Sequence, residues 1–84
     1  IRHQTNGASL VKAITEIDDF NEEFGTQFSD TDFDTIGGLV THAFGHLPAR
    51  GEKTSFGGFD FVVLNADNRR IRLLEVRRHG SVED

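Results

Sequence analysis

Four groups of side chains in this sequence have the types and spacing to do chemistry. Asp30-x-Asp32-x-Asp34 sets three carboxylates two apart in one polar stretch, a ligand set suited to a hard cation. An EF-hand loop opening at Asp30 needs glycine at its sixth position and a bidentate glutamate at its twelfth, where Thr35 and Thr41 stand. What remains is a loose attraction for magnesium, which keeps several of its waters. The plainer reading is a solvated loop whose acids favour the positive end of the following helix. Asp30, Asp32 and Asp34 are the candidate metal residues.

Gly37-Gly38 opens the same predicted helix and could present backbone N–H groups to a phosphate. The adjacent acids would repel that phosphate and no Walker-type lysine follows, so close packing of the helix on a sheet explains the pair better. His42 and His46 have a metal-compatible helical spacing, but Ala43 stands where a zincin carries glutamate, and Gly45 ends the helix before His46. They read as surface or capping histidines, and His3 and His79 carry no signal. Arg69, Arg70, Arg72, Arg77 and Arg78 line the last turn and strand without interleaved aromatics, unlike a single-strand nucleic-acid platform. A solvated edge or a docking surface for an acidic partner fits them. No hydroxyl has a His–acid partner arrangement and no carboxylates pair for acid/base work, so the sequence does not read as an enzyme.

These groups must be held by one small domain, since 84 residues leave no room for a second core. Hydrophobic residues make up 36% and charged residues 27%, a globular rather than disordered balance. With eight Phe and no Trp, Tyr, Met or Cys, the core falls to Phe, Leu, Ile and Val. Lack of cysteine excludes disulfides and thiol chemistry and fits a reducing cytoplasm. Lack of methionine leads us to expect a natural start upstream of Ile1. No apolar run reaches the length of about 20 residues needed to cross a bilayer as a helix.

The charge is polarised. Residues 1–48 carry eight acids against Arg2 and Lys12, while residues 49–84 carry six acids against seven bases. A net charge of -5 argues against nucleic acid or anionic lipid as the principal partner.

Residues 1–8 read as a linker, 9–78 as the domain and 79–84 as a tail. Ser9 to Ala13 is a strand candidate. Thr15 can cap a helix over Glu16–Phe24, where Ile17, Phe20 and Phe24 share a face. A loop anchored by Phe28 and Phe33 leads to a second helix over Thr35–Phe44, capped by Asp34 or Thr35. Its apolar stripe runs through Ile36, Leu39, Val40, Ala43 and Phe44. Alternation then predicts strands at Lys53–Phe56, Phe59–Ala66 and Arg70–Arg78, the first two joined at Gly57-Gly58. In the last strand Ile71 and Leu73 fall out of phase with Leu74 and Val76, as a β-bulge or burial of both faces would cause. The order β-α-α-β-β-β predicts an α+β sandwich, an antiparallel sheet with two helices on one face, leaving the place of the first strand open.

The run Asp34-Thr35-Ile36-Gly37-Gly38-Leu39-Val40, followed by Phe44-Gly45-His46-Leu47-Pro48-Ala49-Arg50-Gly51-Glu52, resembles the CorC/HlyC transporter-associated domain family. The family pattern is Asp-Thr, a Gly-containing helix, then Gly-x-x-Pro-x-x-Gly into a hairpin. Phe20-Asn21-Glu22-Glu23-Phe24-Gly25, Gly58-Phe59-Asp60-Phe61-Val62-Val63 and Asn68-Arg69-Arg70-Ile71 resemble it too, covering about Ser9 to Arg78. The resemblance implies a C-terminal regulatory domain of magnesium and cobalt efflux proteins, on the cytoplasmic side and at the inner face of the membrane. It implies an upstream pair of CBS domains that bind adenine nucleotides and dimerise, with an ion transporter and a second copy as further partners. No cofactor is expected in these residues, since magnesium, cobalt and adenine nucleotide would act through the other domains. The fold it implies is also similar to a subdomain of FAD-binding oxidases, though no flavin motif is present. The competing expectation is a module that itself binds a divalent cation or a flavin or adenine nucleotide.

Overall fold

The computed structural model describes residues 1–4 and 7–79. Its elements are β1 (Arg2–His3), β2 (Ala8–Lys12), α1 (Ile17–Phe24), α2 (Ile36–Phe44), β3 (Lys53–Phe56), β4 (Phe59–Ala66) and β5 (Ile71–Arg78). All strands pair antiparallel in one open sheet ordered β1-β2-β5-β4-β3. The first predicted strand therefore inserts beside the last one, with Val11 opposite Leu74 and Ser9 opposite Val76. A short strand, β1, precedes it in the polar opening, where no periodicity announced one. Of the tail expected over 79–84, residues 80–84 lie outside the described residues.

One face of the sheet is covered by both helices. Phe59, Phe61 and Val63 of β4, Ile71, Leu74 and Val76 of β5 and Val11 of β2 meet Phe20 of α1 and Ile36 and Val40 of α2 in one core. Six of the eight phenylalanines form a continuous ring network. Phe20 sits at its centre, with ring centroids 4.4 Å from Phe24, 5.9 Å from Phe28, 6.2 Å from Phe59 and 6.1 Å from Phe61. Phe56 stacks on Phe61 at 4.5 Å, extending the network to the edge strand β3. Ala43, expected in the apolar stripe of α2, is exposed, because that helix buries only Ile36, Gly37 and Val40.

The phase slip in β5 is a pair of register shifts. Ala66 pairs with Ile71, Asn65 with Leu73 and Val63 with Leu74. Arg72 is thus the extra residue on β5 and Leu64 the extra residue on β4. Such an insertion flips the side-chain alternation, which is why Ile71 and Leu74, three apart, are both buried. The turn between β3 and β4 takes positive φ at both Gly57 (62°) and Gly58 (86°), the backbone that a two-residue hairpin of this hand requires.

The second helix begins at one of its two expected caps, and the first does not. The N-cap of α1 is Glu16 without a side-chain hydrogen bond, because the Thr15 main chain is engaged elsewhere: its N–H donates to the Lys12 carbonyl and its carbonyl accepts from Ile36. The cap of α2 is Thr35, whose hydroxyl accepts from the Gly38 N–H at 3.2 Å. The segments entering the two helices pair with each other, Ile17 N–H donating to Asp34 and Ile36 N–H to Thr15. This brings the two helix starts side by side at the end of the sheet where β2 finishes and β5 begins.

Candidate functional site

The start of α2 offers a phosphate no free donors. The N–H groups of Ile36, Gly37, Gly38 and Leu39 go to the Thr15 carbonyl, the Ala13 carbonyl, the Thr35 hydroxyl and the Thr35 carbonyl. Gly37 is instead a packing residue. A Cβ there would lie 2.6 Å from the Ala13 Cβ and 2.9 Å from the Ala13 oxygen, closer than neighbouring atoms can sit.

The paired helix starts gather acids rather than anion sites. Glu16, Asp18, Asp30 and Asp34 line an open cleft of about 250 Å³. Two of the three acids singled out in the sequence, Asp30 and Asp34, belong to it, whereas exposed Asp32 does not line it. Glu16 and Asp18 join only through the fold, since no local spacing relates them to Asp30. The carboxylates share a cleft without converging on one point. Among the described residues no group of three or more His, Cys, Asp or Glu side chains is arranged to hold a metal ion.

Their mutual repulsion is visible in protonation. Asp30 is the principal cause that raises the Asp18 carboxyl above its ordinary 3.8, followed by desolvation and a hydrogen bond between the two carboxyls. Three other carboxyls move the opposite way. Glu52 is lowered by the Ala49 N–H and His46, Asp60 by the Ser55 hydroxyl and His79, and Asp67 by the Arg69 and Arg70 N–H groups and Arg72. The stability these three contribute is present above their unfolded values and is lost as pH falls through their depressed folded values. Asp18 acts with the opposite sign, since its penalty is present near neutrality and is relieved as pH falls through its raised value. Removing its neighbour's charge with Asp30→Asn should bring the Asp18 midpoint down toward 3.8. A carboxyl-carbon NMR titration reads this directly, and an unmoved Asp18 midpoint would refute the coupling.

The histidines are braces. His3 meets Glu23 at 2.6 Å, tying β1 to α1, and its other ring nitrogen bonds the buried Ser9 hydroxyl at 2.7 Å. His46 meets Glu52 at 3.0 Å across the turn holding buried Pro48, and His79 meets Asp60 at 2.6 Å. No local pattern pointed to the His3 and His79 partners, which lie 20 and 19 residues away. These pairs are exposed and contribute little each. His42, within α2, meets the Phe33 ring at a tilt of 41° with centroids 5.1 Å apart.

The arginine strip divides in two. Arg77 lies 3.7 Å from Glu75, and the Arg78 guanidinium sits 5.0 Å over the Phe59 ring. Toward the other end of β5, roughly 17–20 Å away at about 3.3 Å per residue, Arg72 pairs with Asp67 at 2.8 Å. That separation exceeds the Debye length of about 8 Å in physiological salt, so the two ends act independently. Arg69 and Arg70, in the turn between β4 and β5, have no carboxylate within ion-pairing distance among the described residues. They border an open groove of about 490 Å³ whose wall includes Ile14, Phe33, Gly38, His42 and Ile71. Sequence reading missed Ile14. It belongs to neither the alternating nor the helical pattern, and that misfit is the signal by which an outward-facing apolar residue could have been found.

A five-stranded antiparallel sheet with two helices on one face, surface carboxylates and an arginine-bordered groove defines a small α+β domain. Residues 2–80 match the CorC/HlyC family, described as a transporter associated domain, and the chain belongs to that family. It is 54% identical over 76 residues to a magnesium and cobalt efflux protein CorC of Vibrio cholerae, covering 90% of this chain and 26% of that protein. Against the Escherichia coli K12 protein of the same name, identity is 58% over 67 residues, covering 80% of this chain and 23% of the relative. The chain thus spans about a quarter of the length of the curated relatives it matches. A solved Mg2+ and Co2+ transporter (CorC) associated region from Neisseria meningitidis MC58 superposes with a TM-score of 0.88 at 47% identity, covering 93% of this chain and 96% of that one. The family is transporter-associated, not a known catalytic one. No helix of the described residues is long and apolar enough to cross a membrane.

Proposed function

We propose that this chain is a non-catalytic accessory domain of a magnesium and cobalt efflux protein, modulating transport through contacts with neighbouring domains or a transporter on the cytoplasmic side. The observation that carries this reading is identity of 54–58% with about a quarter of proteins that bear that activity in their names. Residues 9–78 carry the working unit, to which β1 and Ala8 of the leading residues 1–8 add sheet pairing, with an upstream CBS pair as its first neighbour. The geometry supports an accessory role. The start of α2 consumes its own donors, and its four first N–H groups leave none for a ligand.

Deletion of this domain from the full-length protein should lower the cobalt tolerance of cells that depend on it. An unchanged cobalt dose response would sink the accessory reading. Titration calorimetry of the isolated chain should give dissociation constants no tighter than about 1 mM for magnesium, cobalt and ATP, a net affinity of about 4 kcal/mol or less. Micromolar magnesium binding that Asp18→Asn and Asp30→Asn abolish would replace this reading with direct cation binding. Micromolar ATP binding would replace it with a nucleotide module.

A further inference from the structure

Ile14, in the turn after β2, is 65% exposed, more than the other exposed large hydrophobic residues among those described, Ile1 at 46% and Leu47 at 38%. It does not stand alone on open surface, since with Phe33, His42, Arg69, Arg70 and Ile71 it lines the groove of about 490 Å³. That volume lies in the range of about 300–1,000 Å³ that occupied binding sites take. Two more observations make the groove a site. Arg69 and Arg70 line it and have no carboxylate within ion-pairing distance among the described residues, while neighbouring Arg72 is paired with Asp67. Gly38 also faces the groove, with φ outside the left-handed region and nothing closer than 3.5 Å to a Cβ built on it. The fold does not require glycine there, and helix propensity disfavours it relative to alanine. A side chain at that position would narrow the groove.

We infer that this groove is a docking site for a polypeptide segment carrying an aliphatic or aromatic side chain flanked by carboxylates, supplied by another part of the transport system. The inference deepens the accessory reading and rests on it. Charge selects the occupant. No acidic residue lines the groove, so Arg69 and Arg70 set its charge and favour a segment that carries carboxylates. Arginine forks bind carboxylates bidentately, and Ile14 and half-buried Phe33 cover the apolar side chain beside them. An apolar wall open along its length suits a passing chain better than a small anion, which would have to leave most of that wall wet.

The test begins with panning short random peptides displayed on phage against the 84-residue chain. The enriched peptides should pair an acidic residue with an aliphatic or aromatic one. Each should shift the amide signals of Ile14, Gly38, His42 and Ile71. Affinity should fall at least about tenfold in R69E/R70E and in Gly38→Leu, with thermal melts confirming that both variants fold. Enrichment without acidic residues, or binding that both variants leave intact, would overturn the inference. So would saturation of the groove by AMP or inorganic phosphate in preference to the peptides. In cells, R69E/R70E within the full-length protein should lower cobalt tolerance as domain deletion does. If deletion lowers it and R69E/R70E does not, the groove inference fails while the accessory function stands. If neither does, the accessory reading itself fails.

Discussion

Replacing Phe20 with alanine should destabilise the domain by about 3–5 kcal/mol, the usual range for deleting a fully buried aromatic ring. Phe20 has no exposed surface and lies within ring-contact distance of Phe24, Phe28, Phe59 and Phe61, so the cavity would open between α1, the following loop and β4 together. A chain of this length has a total stability of about 4–13 kcal/mol. The loss therefore takes a large share of it, and at about 4–8 °C per kcal/mol the melting midpoint should fall by more than about 10 °C. Phe44→Ala is the comparison. That ring is half-buried and meets the His46 ring at 5.7 Å outside the network, so its loss should cost much less. Should the Phe20 variant prove too unstable to purify, Phe20→Leu keeps part of the volume and should fall between wild type and Phe44→Ala on one side and Phe20→Ala on the other. Urea unfolding of the series measures the ranking. A Phe20→Ala loss within about 1 kcal/mol of wild type would show that the ring network is not the centre of stability.

The central role of Phe20 was half legible in the sequence. Its helical spacing with Ile17 and Phe24 marked a buried face, and the alternation Phe59, Phe61, Val63 marked the strand face it meets. Periodicity reports which side of an element is buried but not which elements lie opposite, so the place of β2 beside β5 had no local signal. Neither did β1, a pairing of two exposed residues held to β2 by backbone hydrogen bonds. The Ile71/Leu74 phase slip was readable as an irregularity. Its division into one extra residue on each of two strands is a property of the pair and appears in neither strand alone. The same limit governs the candidate sites. Asp30 and Asp34 stood out as a tandem motif, yet their strongest electrostatic neighbour is Asp18, brought in because the two helix entrances pair through Glu16 and Thr35. The arginines read as one strip because sequence adjacency hides the length of β5. Arg69 and Arg70 become distinct only when Arg72, Arg77 and Arg78 are seen to have partners of their own.

The adjacent glycines of α2 carry the second large effect, and its sign should reverse between them. In an exposed helix interior a Gly→Ala change stabilises by about 0.5–1 kcal/mol, because alanine loses less backbone freedom on folding. Gly38→Ala should follow that rule in direction, since the added Cβ would meet Phe33 and Thr35 at 3.5 Å or more, ordinary van der Waals contact. At Gly37 the added carbon meets Ala13 atoms that have little room to yield. The Ala13 oxygen accepts the Gly37 N–H at 2.9 Å, and the Ala13 N–H donates to Arg72 at 3.1 Å, so Ala13 is held between helix and sheet. Relief would require α2 to lift from the end of β2, stretching that hydrogen bond and loosening Ile36 and Val40 from the core. Overpacking of this kind costs about 1–3 kcal/mol, which outweighs the entropic gain and makes Gly37→Ala net destabilising. Thermal melts of the two variants should move in opposite directions. Equal shifts of the same sign would mean that α2 does not seat against Ala13 as closely as described. The double change Gly37→Ala with Ala13→Gly removes the clashing Cβ but leaves the carbonyl contact, so it should recover only part of the loss. That partial recovery separates the side-chain share of the clash from the backbone share, and it locates the close approach of helix to sheet that brings Gly38 and Thr41 to the groove edge.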